Sequence, residues 1–165
     1  MKQRKEILLI RIEYIVSGIE DYVYPTESFD FVISSLALHY IEDLNPVFAN
    51  IHRTLKPEGN FVFTIEHPVF TAQGSQEWMC DDKGTPLYWP VDNYYIEGRR
   101  VTNFLGENIV KYHHTLTSIV QSLLKNGFTI ENLIEPQPTK EMLETIPGMK
   151  DEMRRPMLLA VSVSK

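Results

Sequence analysis

Four groups of residues in this 165-residue chain have side chains suited to chemistry. Glu66-His67-Pro68 follows a β-rich run at residues 61–65, FVFTI. An unperturbed histidine titrates near about 6.5, so His67 suits a general base or a substrate-orienting group, with simple loop structure as the alternative. Residues 34–40, SSLALHY, follow a second apolar run, and His39 there either faces a ligand or packs near a helix start. Tyr112, His113 and His114 precede a strongly amphipathic stretch. Adjacent histidines point apart on most backbones, so no metal site is expected. Tyr112 and His113 read as a helix cap or as part of a substrate cleft. Trp78, Trp89 and Tyr94 sit in an aromatic-rich segment together with Tyr88 and Tyr95. Large aromatics with polar tips can line a substrate pocket, or they can form a self-packed satellite core. The single cysteine, Cys80, has no evident base and reads as incidental.

The elements that must position these groups centre on residues 28–65. Phe29, Phe31, Val32 and Ile33 form an apolar run without polar alternation, as in a strand covered on both faces of a parallel sheet. Asn45 suits an N-cap, with Pro46 in the first helical turn. Val47, Phe48, Ile51 and Leu55 recur at helical spacing and form one stripe. Lys56-Pro57-Glu58-Gly59-Asn60 turns the chain into the second strand. Strand, crossover helix and strand make a right-handed βαβ unit. Ligands of open α/β sheets gather at the carboxyl ends of such strands, where residues 34–40 and 66–68 lie.

Around this unit, residues 1–10 read as a helix turn, a strand start or a frayed tail. Residues 12–16 read as a strand, 17–21 as a loop and 25–28 as a turn. Residues 67–106 hold three prolines, four glycines and both tryptophans, and no period persists. They read as an irregular lid-like insertion within a single domain spanning 1–165, with a hairpin at 94–104 turned by Glu97-Gly98. Leu116, Ile119, Val120, Leu123 and Leu124 predict a helix over 115–126, capped by Asn126-Gly127. A strand at 128–134, a short helix at 140–145 and a strand at 157–164 follow.

Composition narrows the function. A net charge of −6 argues against a broad phosphate-binding surface, so nucleic acid is not an expected partner. No apolar run reaches the roughly 18–20 residues of a membrane span. One cysteine fits a reducing compartment, and a cytoplasmic location is the expectation. No G-x-S-x-G turn is present, which disfavours an α/β hydrolase.

FDFVISSLALHYIEDL followed by LKPEGNFVFTIEHPVF resembles the middle of a class I S-adenosylmethionine-dependent methyltransferase, of the small-molecule group called methyltransferase type 11. The likeness runs from about Ile12 to the C-terminus. It implies a Rossmann-like α/β fold with strand order 3-2-1-4-5-7-6, a parallel core and an antiparallel C-terminal edge pair. The implied activity is methyl transfer from S-adenosylmethionine to a small molecule. By position, Ile19 and Glu20 would border the adenine, and Ser35, Leu36 and His39 would meet the methionyl part. His67 would be the catalytic group, and Trp78, Trp89, Tyr94, Tyr112 and His113 would line the substrate pocket. The family's glycine-rich first turn has no counterpart, since no GxG occurs. The reading is therefore of a truncated sheet, with methyl transfer impaired, or of an inactive remnant acting as an oligomerising or partner-binding module. Without the family's first two strands, residues 29–33 would have a bare edge. The expectation is that residues 12–16 move in beside it, or that a homodimer covers it.

Overall fold

A computed structural model describes residues 12–165; the alternatives for residues 1–10 lie outside them. Strand β1 (Phe29–Ser35) is followed by helix α1 (Leu44–Thr54) and strand β2 (Leu55–Glu66). Asp43 caps α1, its carboxylate accepting from the Asn45 N–H. The helix thus begins before the expected Asn45, and Pro46 still falls in its first turn. β1 and β2 pair in parallel. The expected turn at residues 56–60 survives as a bulge within β2, because Phe29 pairs with Leu55 while Phe31 pairs with Asn60. Glycine is required there: a Cβ on Gly59 would lie 2.8 Å from the Lys56 carbonyl oxygen.

Helix α2 (Pro68–Thr71), strands β3 (Met79–Cys80) and β4 (Pro86–Tyr88), and a hairpin of β5 (Gly98–Phe104) and β6 (Glu107–His113) follow. The hairpin turns at Leu105-Gly106, both with positive φ, as a tight two-residue turn demands, and not at Glu97-Gly98. Helix α3 (Leu116–Lys125) has Thr115 as N-cap and Asn126 as C-cap, one residue inside the expected bounds at each end. Strand β7 (Thr129–Ile134), helix α4 (Lys140–Thr145) and strand β8 (Leu158–Ser164) complete the chain.

The main sheet has order β1-β2-β8-β7, with β8 antiparallel to both neighbours. This matches the 4-5-7-6 half of the implied order. Period-two alternation buries Phe61, Phe63 and Ile65 on β2 and Leu159, Val161 and Val163 on β8. Phe48 and Ile51 of α1 and Ile119 and Leu123 of α3 close over that face. The Phe48 ring lies 5.8 Å from that of Phe63 and 6.1 Å from that of Phe61.

Two expectations fail at the sheet edge. Residues 12–16 form no strand; they are exposed and join no ladder among the described residues. Nor is β1 covered on both faces: Phe31 is 53% and Ile33 70% exposed. A continuous apolar run signals a two-sided environment, but among the described residues only one side is supplied, and no strand pairs with the outer edge of β1.

Candidate functional site

Because β1 and β2 are parallel, the segments that leave them emerge at one end of the sheet. Ser35 ends β1, and Leu36 turns sharply away in the left-handed region at φ 50°. Its backbone N–H reaches the Thr64 carbonyl on β2 at 3.0 Å. A leucine held there, with an exposed side chain, is local strain of the sort found at ligand-binding turns. The nearby Ser34 hydroxyl is buried without a hydrogen-bond partner among the described residues. A short 3-10 turn, Leu38–Tyr40, then buries His39. The Glu66 N–H donates to His39 Nδ1 at 3.4 Å, which leaves the proton on Nε2, 4.0 Å from Glu66 Oε1. Burial lowers the His39 pKa, partly opposed by the Glu66 carboxylate, so the ring is neutral at neutral pH.

Glu66 is the hub of this end. Its Oε1 meets Lys111 Nζ at 2.5 Å and its Oε2 accepts from Gln76 Nε2 at 2.7 Å. Gln76 Oε1 accepts from Lys111 at 3.0 Å, closing a triangle between the sheet, the segment after α2 and the hairpin. Lys111 is only 3% exposed. A lysine so buried needs such partners, since an unpaired ammonium there is strongly disfavoured. The Tyr40 ring packs at a tilt against His39, centroids 4.4 Å apart, and is partly exposed. Burial and then Glu66 raise its pKa, so it remains a protonated hydroxyl.

His67, expected to be the free base, is committed elsewhere. Its Nδ1 accepts from the Val69 N–H at 3.0 Å and caps α2. Its Nε2 lies 2.9 Å from Glu135 Oε1, and the ring is buried. Burial lowers its pKa against the pull of Glu135. Nδ1 is thus engaged, whereas Nε2 is buried with Glu135 as its ion partner and forms no well-aligned hydrogen bond among the described residues.

The five expected substrate residues divide into separate clusters. Trp78 and Trp89 pack edge-on at 5.3 Å, and Trp89 stacks on Phe70 at 5.0 Å. The Arg155 guanidinium fills the space between them, 4.1 Å from the Trp89 ring and 4.7 Å from that of Phe70, with Glu152 as its ion partner. His113 is fully buried: Nε2 donates to the Tyr94 carbonyl at 2.8 Å and Nδ1 accepts from Thr71 at 2.7 Å. Tyr94 packs on His113, and its hydroxyl accepts from the Leu116 N–H. Tyr112 is half-buried on β6 opposite Arg99. The contacts of Trp78, Trp89 and Tyr94 fit the satellite core that was the alternative to a substrate pocket. Ile19 packs against the core, with its carbonyl bonded to Tyr24, and Glu20 is exposed. No hydrogen bond among the described residues joins that turn to residues 34–40. Ser35, Leu36 and His39 are thus the candidates gathered with Glu66. Among the described residues no cluster of three potential metal ligands occurs, and no helix is long and apolar enough to cross a membrane.

Lys111, Gln76 and Arg155 went unpredicted. One signal for Lys111 was available: it shares a strand face with His113, so a lysine occupies an inward position of an alternating hairpin.

Comparison with known proteins gives this end of the sheet a context. Residues 1–63 match a family model described as a methyltransferase domain. A crystal structure of a candidate S-adenosylmethionine-dependent methyltransferase from Listeria monocytogenes superposes with a TM-score of 0.85 at 47% identity, over 90% of this chain and 67% of that one. An S-adenosylmethionine-dependent methyltransferase from Mesorhizobium loti superposes with a TM-score of 0.82 at 38% identity, over 90% and 68%. The chain belongs to the S-adenosylmethionine-dependent methyltransferases. An uncharacterised Haemophilus influenzae protein is 33% identical over 146 residues, 86% of this chain and 56% of that protein. The methyltransferase chain described here therefore spans about half the length of that relative and two thirds of each of the two structures.

Proposed function

We propose that this methyltransferase transfers a methyl group from S-adenosylmethionine to a small-molecule acceptor at the end of the sheet where residues 34–40 and 66–68 meet. The observation that carries this reading is the parallel pairing of β1 and β2, with Ser35 and Leu36 against Thr64 and His39 against Glu66 two residues further on. When bound, the donor supplies a sulfonium methyl and departs as a thioether. The protein's task is alignment. The residues at hand suit a cationic donor. His39 is neutral and so adds no repulsive charge, and the positive charge of Lys111 is matched by Glu66. Leu36 holds a left-handed backbone, and the nearby buried Ser34 hydroxyl has no partner among the described residues. Tyr40 keeps a partly exposed, protonated hydroxyl, while Lys111 and Gln76 fix Glu66 in place. Calorimetric titration with S-adenosylhomocysteine tests this: heat of binding at micromolar ligand is expected, and silence at millimolar ligand refutes it.

A second reading rests on the outer edge of β1, where Phe29, Phe31 and Ile33 are exposed beside backbone that no strand pairs with among the described residues. Such an edge is a template for strand addition, and a homodimer covering it is the arrangement we favour. Sedimentation at several concentrations checks it; a monomer throughout the range excludes it. A reducing, cytoplasmic setting accords with the free, exposed Cys80.

A further inference from the structure

The segment joining β7 to β8 encloses a groove of about 630 Å³. Pro136, Pro138, Met142, Met149, Met157 and Leu158 form most of its wall. Its size falls within the range of small-molecule sites, roughly 300–1,000 Å³, and its apolar lining is typical of them. Methionine thioethers adapt to irregular apolar shapes. The charged residue in the wall, Glu152, has both carboxylate oxygens on Arg155, at 2.7 and 3.2 Å. The lining therefore offers apolar contact without a free charge.

The groove adjoins the candidate donor end. The His67 N–H donates to the Met157 carbonyl at 2.8 Å, and His67 Nε2 faces Glu135, which directly precedes Pro136. His67 is in turn the residue after Glu66. The wall of the groove is thus fastened to the segment that leaves β2. Glu152 also links it to the lid, because its partner Arg155 is the cation seated among Phe70, Trp78 and Trp89.

We infer that this groove holds the neutral, apolar body of the methyl acceptor, so that the substrate class is a hydrophobic small molecule. The inference rests on the methyl-transfer reading above. The test uses the full chain labelled with [13C-methyl]methionine and the uncharged apolar fluorophore N-phenyl-1-naphthylamine as probe. Titration should move the methyl signals of Met142, Met149 and Met157 while leaving Met79, on β3, in place. Trp78 and Trp89 emission should change through the Glu152–Arg155 link. Met149→Glu should weaken the probe at least about tenfold, and Met79→Glu should not. Met142→Glu, on the short helix α4, serves if the first variant does not fold. Equal affinity in wild type and both groove variants overturns the inference. So do shifts centred on Met79, or groove signals that respond to protein concentration and not to the probe, which would mark a self-contact surface. Separate titration with S-adenosylhomocysteine keeps the two claims apart. Probe without nucleoside binding leaves a hydrophobic site and removes the donor reading, whereas nucleoside without probe binding removes only the groove.

Discussion

The sheet and the segment from β2 to α3, residues 67–115, which includes the lid-like insertion expected at 67–106, are built on different physics. The sheet layer is held by apolar side chains at regular spacing: Phe48 and Ile51 of α1, Phe61 and Phe63 of β2, Ile119 and Leu123 of α3. The insertion has few such residues. It is held by individual polar and cationic anchors: Lys111 in the Glu66–Gln76 triangle, His113 between Thr71 and Tyr94, and Arg155 among three aromatic rings. Apolar packing is non-directional and spread over many contacts, whereas each anchor depends on one side chain. A layer of the first kind unfolds as a unit. A layer of the second kind can loosen locally while the sheet stands.

Substitutions that strike one region should expose this difference. Phe48→Ala removes a fully buried ring and should cost about 3–5 kcal/mol, with far-ultraviolet circular dichroism and tryptophan emission lost at one lowered denaturant midpoint. Lys111→Met leaves Glu66 without its cation and should cost about 3 kcal/mol. Here the tryptophan transition should separate from that of the sheet. The double variant Glu66→Leu with Lys111→Met should recover part of the loss, because an apolar pair leaves no orphaned charge. Arg155→Met removes the guanidinium from the aromatic cluster at a cost of about 1–2 kcal/mol. Its signature is red-shifted tryptophan emission with secondary structure retained.

The smallest effect sharpens the comparison by pH. Burial lowers the pKa of His39, His67 and His113 below the unfolded value of about 6.5. Between the folded and unfolded values the unfolded chain binds more protons, so stability is full above neutrality and falls as pH drops through about 6.5. The decline should appear first in tryptophan emission, since all three rings anchor the insertion or the end of the sheet beside it. His39→Gln should flatten part of the slope, measured by denaturant midpoints between pH 7.5 and 5.5.

The same division explains what could be read from sequence. α3 and its C-terminal cap were legible because Ile119 and Leu123 repeat at helical spacing up to Asn126-Gly127, whereas the N-cap, Thr115, reads in the sequence as part of the helix. The β1–α1–β2 unit was legible for the same reason, and with it the convergence of residues 34–40 and 66–68. The insertion resisted because its anchors are long-range and unique: Gln76 meets Lys111 across 35 positions, and Arg155 meets Trp89 across 66. No periodicity encodes such pairs. The role of His67 was harder to read for a related reason. A histidine at the carboxyl end of a strand suits a base, but here the N–H groups opening α2 need a cap and His67 Nδ1 supplies it. The exposed odd positions of β1 were misread because an apolar run reports what a strand can tolerate, not which neighbour is at hand.

The central claim is that the ends of β1 and β2 form one crevice for the methyl donor. Amide chemical-shift mapping with S-adenosylhomocysteine addresses it most directly. The account predicts shifts concentrated at Ser35, Leu36, His39 and Glu66, saturating together with a single dissociation constant. Shifts confined to other surfaces, or none at millimolar nucleoside, would contradict it.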